Sequence, residues 1–551
     1  MTVKPFVHVV RWTLLLLTAR QPKPYLQGSD RQAAAIPPWL DPGTTARQTL
    51  GQAFCGAQAL ISRNYCDLQI NSIVGVVSVA LSPLRAGRLE LPNRIAVPAM
   101  VTRLAGSDGC VNHDIVERYR RFAEGGAGLI VVEASSVHGG KSGPLLRVSD
   151  DAFIPGLGDL TAACHEAGPG KVFLQIIHFL KISRSGWRQK VSDLSATELE
   201  ELPALFADAA ARAVRAGFDG VELHMAHAYT LSSMLSRMNR RRDHYGRTLE
   251  NRLRLPSMVL QEVRKRVGEF PVAVRFDADE SIRRGYSVGD ATAFAVRFAE
   301  LGADYVSLSA GGKFEDAVHR TGEPLYPYTG YSGDRCMPGD SYPDAANIWM
   351  AESVRGALRS AGHHTPVLGT GKIGTIELAD SVIARGACDI VGMARALLAD
   401  PYLPAKCRAG RHDEVVRCIY CNVCKSLDES FKTVVCYLWP KDSLQAPRPH
   451  EASRASIRWT VDSLPLSGRV LPGEIRLKWA LPSGDVRGYD VLRSVDGGAF
   501  SRLTSCTRTR HLDGTALRDQ ALRYRVVPYD AAGRRGEPSN VIEIGLAEAP
   551  L

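Results

Sequence analysis

The chain lacks any apolar run near the ~18 to 20 residues that a membrane span requires. The nearest approach is the stretch Trp12-Thr13-Leu14-Leu15-Leu16-Leu17-Thr18-Ala19. It follows Lys4, His8 and Arg11 and faintly imitates a short export signal. A cytoplasmic protein is therefore expected, with export as the lesser alternative. Long runs of one charge are also missing. The 68 Lys and Arg exceed the 58 Asp and Glu, yet the basic residues are scattered and form only short clusters such as Arg240-Arg241-Arg242. That argues against a dedicated nucleic-acid groove and leaves anionic cofactors and substrates welcome. After residue 440 no Gly-x-Gly-x-x-Gly follows a strand, which excludes an appended dinucleotide-binding fold of that kind there.

The composition, 45% hydrophobic and 23% charged over 551 residues, is that of a soluble globular protein with two or three folded units. Residues 1–79 contain several prolines and no sustained periodicity, and read as a poorly ordered leader. From residue 80 a short apolar, β-branched run followed by an amphipathic stretch recurs eight times. The strands are expected at 94–100, 128–137, 171–178, 220–227, 271–279, 305–312, 366–373 and 390–397. Eight βα units over residues 80–415 predict an α/β fold, a closed parallel TIM (β/α)8 barrel, whose chemistry sits where strands end and βα loops begin. The Gly-, Pro- and Tyr-rich loop at 311–344 is too long for a connector and is expected to form a lid or wall over substrate.

Residues 416–440 form a cysteine-dense segment, 441–455 a linker, and 456–547 a run of short alternating strands with turns at Asp496-Gly497-Gly498 and Ala531-Ala532-Gly533. The last is expected to be an all-β sandwich. With Trp479 and Tyr489 in early strands and Tyr524 before the closing Pro538-Ser539-Asn540, it resembles a fibronectin type III module. Its partner is not legible.

Two imidazoles and a phenol stand within six residues of one strand end in Val221-Glu222-Leu223-His224-Met225-Ala226-His227-Ala228-Tyr229. The plain alternative is a pair of hydrogen-bonded core histidines with a packing tyrosine. The longer stretch "GFDGVELHMAHAYTLSSMLSRMNRRRDHYGRTLENRLRL", however, resembles the signature of the old yellow enzyme family of FMN-dependent ene-reductases, the NADH:flavin oxidoreductases. The resemblance runs from "LSPLRAGRLELPNRIAVPAM" to "GMARALLADPYLP". It implies FMN in the barrel mouth, with NAD(P)H as electron donor and a small unsaturated carbonyl compound or enoyl thioester as substrate.

On that resemblance His224 and His227 are the N–H donors that stabilise negative charge developing on a substrate carbonyl oxygen during hydride transfer. Tyr229 is the acid that protonates the α-carbon. Pro98, Ala99 and Met100 would lie along the isoalloxazine, and Ala134 would leave it room. Gln175 would meet the pyrimidine edge, where a group that both donates and accepts is suited, and Arg275 the N1/C2 side. The phosphate would sit at Gly369, Gly371, Ala394 and Arg395 after the last two strands. Two positions depart from the family. Val101 stands where a hydrogen-bonding side chain often meets the flavin, with Thr102 as a substitute only if the backbone shifts, and His178-Phe179-Leu180-Lys181 replaces His-x-Gly-Arg.

Cys418, Cys421, Cys424 and Cys436 are spaced C-x2-C-x2-C-x11-C, close enough to wrap one tetrahedral ion or one cluster. The segment resembles the 4Fe-4S segment that follows the barrel in 2,4-dienoyl-CoA reductases and trimethylamine dehydrogenases. An iron-sulfur cluster is the first expectation and zinc the alternative. Electrons would then arrive as hydride from NAD(P)H, or singly through the cluster from a separate electron-transfer protein. Amine dehydrogenation with electrons leaving through the cluster is the alternative activity. A non-catalytic binding or electron-transfer protein is the alternative of another class.

Overall fold

The computed structural model describes residues 78–139, 145–180, 189–311, 333–449, 457–459, 465–471, 474–515, 520–531 and 533–545. The expected leader, apart from its last two residues, and most of the long loop at 311–344 lie outside this set, as do Lys181, 450–456, Ala532 and 546–547. Among the described residues no helix is long and apolar enough to cross a membrane.

A short hairpin, β1 (Leu84–Ala86) and β2 (Leu89–Leu91), precedes eight parallel strands. These are β3 (Ile95–Val97), β4 (Leu129–Ser136), β5 (Lys171–Ile177), β6 (Gly220–Met225), β7 (Val272–Asp277), β8 (Val306–Ser309), β9 (Val367–Gly369) and β10 (Ile390–Gly392). They close in sequence order, β10 pairing with β3, so the expected TIM barrel is present. The last two strands are shorter than the apolar runs that signalled them. Chain beyond Gly369 and Gly392 leaves the sheet, and a helix already begins at Ala394.

Helices start where side chains satisfy the first free N–H groups. Asn112 caps the helix His113–Glu124, Ser195 with Glu198 forms a capping box before Ala196–Arg215, and Thr248 caps Leu249–Val267. The barrel interior is layered. Its lower layer is apolar, with Ala96, Leu129, Val131, Phe173, Ala273, Tyr305, Leu368 and Ile390 packed together and closed below by Leu89 and Leu91 of the hairpin. Gly220 is required there, because a Cβ would stand 2.3 Å from the Phe173 ring.

Above this layer the interior turns polar. Gln175 is in register with Glu222, and His224 with Arg275. Side chains at paired positions of neighbouring parallel strands share a face, and positions two apart on one strand do too. The four residues therefore rise together toward the strand ends.

The cysteine segment lies against that end of the barrel. Val434 N–H donates to Thr102 O (2.8 Å), and Arg103 pairs with Asp428 (2.8 Å). The following residues, expected to begin a linker, are tied down: Arg448 pairs with Glu117 and Glu124, and Arg118 donates to Leu444 O.

Seven C-terminal strands form two antiparallel sheets. They are β11 (Leu466–Leu471), β12 (Glu474–Trp479), β13 (Gly488–Val495), β14 (Ser501–Cys506), β15 (Arg510–Asp513), β16 (Ala521–Tyr529) and β17 (Ile542–Gly545). The sheet orders are β11-β12-β15 and β14-β13-β16-β17, a three-plus-four division familiar in immunoglobulin-like sandwiches. Ile475, Leu477, Trp479, Tyr489, Val491, Tyr524 and Val526 share one core. Tyr529 reaches out of it to pack with Val416 and Leu438 of the cysteine segment.

Candidate active site

One cavity opens at the strand ends. Pro98, Ala99, Met100, Ala134, Gln175, His224, His227, Tyr229, Arg275, Gly371, Ala394 and Arg395 all line it, so residues from seven strands and their loops meet there. Gly369 does not line it. A Cβ there would press on Ile348, Cys388 and Ala351, so its bare backbone serves packing of β9 against the surrounding helices, and the expectation that it faces a phosphate is corrected. Gly392 takes a comparable place in the wall. Thr102 is also turned away, because its N–H and hydroxyl both donate to buried Glu133, at 3.1 Å from the hydroxyl. Val101 instead fills the corner against Ala134, Ile177 and Tyr229.

The two histidines differ in their fixing. His224 Nδ1 accepts from Ala226 N–H (3.2 Å), which places the ring proton on Nε2. His227 sits past the end of β6 with φ +60° and Ala228 with φ +57°, a left-handed pair that costs non-glycine residues ~1–2 kcal/mol each. What holds the bend is Asp277, which accepts the His227 N–H at 2.7 Å. His227 Nε2 meets Ser309 Oγ at 2.7 Å and Cys336 Sγ at 3.3 Å. The His224 ring lies edge-on to both His227 and Tyr229, with centroids 5.1 Å apart in each case. Burial, with Arg275 nearby, holds both imidazoles well below the usual histidine range. They are neutral N–H donors at ordinary pH.

Below them, Gln175 Nε2 donates to Glu222 Oε1 (2.7 Å), and Tyr305 OH donates to Glu222 Oε2 (3.0 Å). This fixes the Gln175 amide. Burial raises Glu222 while Arg275 opposes it. Arg275 Nη1 donates to Ala99 O at 3.3 Å. Arg395 Nη1 donates to Pro338 O (2.7 Å) and Asn422 Oδ1 (2.6 Å), and its guanidinium lies over Tyr420, 4.8 Å from the ring centre. His178 is a structural residue, bonded to Thr230 Oγ1 (2.7 Å) and driven down to about 3 by burial beside His138.

Cys418, Cys424 and Cys436 are pushed up by burial, Cys424 to about 12, and each is influenced by other members of the set. Cys424 lines the cavity, whereas Cys421 is exposed. Among the described residues no three His, Cys, Asp or Glu side chains form a ready-made ion site. The thiols are neighbours without closing on one point.

Sequence reasoning missed several cavity residues: Cys336, Thr370, Lys372, Met393 and Tyr420. Lys372 stood in view between Gly371 and Ile373. Tyr420 was hidden inside the cysteine spacing, and Cys336 inside a loop without periodicity.

The sequence profile of the NADH:flavin oxidoreductase / NADH oxidase family matches residues 81–185 and 179–324. An NADPH dehydrogenase of Geobacillus thermodenitrificans is 31% identical over 349 residues, 59% of this chain and 93% of that one. The chain belongs to this family. A larger relative, an NADH oxidase of Thermoanaerobacter brockii, is 32% identical over 361 residues, covering 62% of this chain and 52% of that protein. The chain thus spans about half the length of that relative. Among solved structures, a 2-naphthoyl-CoA reductase has a similar fold, with a TM-score of 0.59 and 22% identity over 70% of this chain and 60% of that one.

Family membership makes the barrel one of the FMN-dependent oxidoreductase type, and the cavity suits that cofactor. Arg275 Nε is buried with no hydrogen-bond partner among the described residues. A Cβ on Gly371, which has φ +122°, would come within 2.8 Å of Asn347, and one on Gly392 within 2.7 Å of Pro98 and Thr370. As at Gly369, the missing side chains there admit neighbouring residues of the wall, and the unpartnered Arg275 Nε is the feature that fits an anionic ring edge.

Proposed function

We propose that the protein reduces the C=C bond of an α,β-unsaturated carbonyl compound or enoyl thioester, using NAD(P)H as electron donor and FMN as the resident carrier. The observation that carries this reading is the pair of neutral imidazoles, His224 and His227, set beside Tyr229 on one wall of a cavity that Arg275 and Gln175 also enter. The names of the two curated relatives, an NADH oxidase and an NADPH dehydrogenase, support a nicotinamide donor.

Bound FMN would supply the hydride that adds to the β-carbon. Pro98, Ala99 and Met100 would flank it, with Ala134 leaving space. Gln175, its amide set by Glu222, would hydrogen-bond its pyrimidine edge, and Arg275 would offset negative charge there. Gly371, Ala394 and Arg395 would hold the phosphate. His224 Nε2–H aims a donor that needs no reorganisation at a substrate carbonyl oxygen, and His227 would complete the pair. For His227 to do so, its Nε2 must exchange the Ser309 contact for substrate or donate through Nδ1. Tyr229 then delivers a proton to the α-carbon, so that one hydride and one proton together saturate the bond. Cys418, Cys421, Cys424 and Cys436 would hold a 4Fe-4S cluster. Their C-x2-C-x2-C-x11-C spacing supports that reading.

The test is anaerobic purification followed by absorption spectroscopy, flavin extraction and iron analysis. NADH or NADPH should bleach the protein, and an enone or enoate should restore its colour. Colourless protein that does not take up FMN would end the proposal. Bleaching by dimethylamine or trimethylamine, without recolouring by enones, would replace it with amine dehydrogenation.

A further inference from the structure

A second cavity, about 1140 Å3, lies between the cysteine segment and the sandwich. The sandwich side presents Arg476 of β12, Arg502 of β14, Arg508 of the turn that follows and Arg510 of β15; the other side presents Lys372 and Arg417. The acids lining it are Asp340 and Asp344, and Asp344 is already 3.7 Å from Lys372. Asp490, behind the sandwich wall, serves both Arg502 (3.4 Å) and Arg535 (2.8 Å). Arg502 Nη1 is buried without a hydrogen-bond partner among the described residues, and Nε has only the long contact with Asp490. Arg417, Arg476, Arg508 and Arg510 make no ion pair with a described residue.

Two positive walls facing each other repel, and the largely buried Arg502 guanidinium leaves hydrogen-bonding capacity unused. A multiply charged anion between them removes both costs. A single phosphate can bond one wall at a time, whereas linked phosphates can engage both in bidentate fashion. The remaining lining mixes Thr375, Thr504, Ser505, Thr507 and His511 with apolar Leu378, Ile419, Leu503 and the exposed Leu512, a surface on which a purine can lie and find hydrogen-bond partners. The volume exceeds what phosphates alone would fill and is slightly above the usual range of small-molecule and cofactor pockets, ~300–1000 Å3, so a whole nucleotide has room. We propose that this cavity binds a nucleoside diphosphate group, free or as the end of a larger nucleotide.

The cavity adjoins the first one. Lys372 and Tyr420 line both. A nucleotide there would abut the expected FMN phosphate end and exposed Cys421, not the His224 rim. The site is independent of the reaction proposed above.

The experiment titrates the FMN-loaded full chain with ADP by calorimetry, at low and at physiological salt. Coenzyme A and NADH serve as further arms, to show which larger nucleotide carries the group. Arg476 and Arg510 are exposed and make no described ion pair, so R476E/R510E should fold. ADP should bind in the micromolar range, and the variant should weaken it by tenfold or more, a loss of ~1.4 kcal/mol or more, with flavin content unchanged. R417Q, on the opposite wall, should also weaken it. Absence of ADP binding up to ~10 mM, equal affinity for inorganic phosphate, or indifference to R476E/R510E would each overturn the proposal. So would an acidic electron-carrier protein that needs these arginines while ADP does not bind.

Discussion

The barrel mouth and the C-terminal sandwich both bury arginine, tyrosine and carboxylate side chains, but they complete them differently. In the sandwich Asp513 accepts from Arg493 (2.8 Å), Tyr524 OH (2.7 Å) and Thr515 Oγ1 and N–H. Burial would raise its carboxyl, yet those bonds hold it below the ordinary range. The network turns inward and ends on itself. At the barrel mouth Glu222 fixes Gln175 and is itself held by Tyr305 from the layer below, Asp277 fixes the His227 backbone, and Gln175 and His227 line the cavity. Polar satisfaction completed within the protein reads as architecture. The same groups, anchored at one end with donors aimed into open space, read as a site.

Removing the donors should sharpen that contrast most. H224A/H227A leaves the lower layer and Asp277 intact. Each oxyanion donor is worth ~10²–10³ in rate, so enone-dependent reoxidation should fall by ~10⁴ or more in stopped-flow while bound FMN and the unfolding midpoint stay near wild type. A fall below ~10-fold would return the histidines to the status of core residues.

The complementary change is D513A. It strands the Arg493 guanidinium and the Tyr524 hydroxyl inside the sandwich, and breaking a buried pair on one side costs ~3–5 kcal/mol. Limited proteolysis should cut the sandwich at lower urea, and enone turnover should hold within twofold. Equal loss of turnover would mean that the sandwich supports the barrel chemistry, which would erase the distinction.

The legibility of these two regions in the sequence differed for physical reasons. Eight strands could be read because both faces of each are buried, which leaves continuous apolar, β-branched runs such as Leu129-Ile130-Val131-Val132. Their ends could not be read beyond Gly369 and Gly392, since Ile373 resumes an apolar pattern after Thr370-Gly371-Lys372 and Met393-Ala394 continues one into the next helix. His224, His227, Tyr229, Gln175 and Arg275 were legible from the family signature. Glu222 and Tyr305 were not, because a buried carboxylate two residues from His224 looks in sequence like any alternating polar position. Gly369 misled for the opposite reason: bare backbone signals close approach without saying what approaches. Tyr420 and Cys336 enter the cavity from segments far along the chain, and only tertiary packing reveals them.

Y229F tests the proton side of the same wall. A positioned acid contributes ~10²–10⁴, and solvent can replace part of it, so saturation of the enone should slow by ~10²-fold. Reduction of the flavin by NADH should be unchanged. Solvent isotope effects should appear in the wild type and shrink in the variant. A uniform slowing of both half-reactions would assign Tyr229 to packing against Val101 and Ala134.

The smallest effect concerns stability and separates a supporting histidine from the reacting ones. Burial beside His138 depresses His178 to about 3, against an ordinary value of ~6.5 in the unfolded chain. Between those values the unfolded state binds a proton that the folded state refuses, so acidification favours unfolding. Above pH ~7.5, about one unit past the unfolded value, neither state is protonated and this contribution is flat. From pH 7 to pH 5 the loss should be ~2 kcal/mol from this group. His224 and His227, also depressed, act in the same direction, so the wild-type slope contains all three. H178Q can keep a bond to Thr230 without a titrating ring, and urea midpoints at pH 7 and 5 should show its acid sensitivity reduced by about that amount with NADH-dependent bleaching retained. An unchanged slope would place the acid-sensitive proton uptake at the His224 and His227 wall alone.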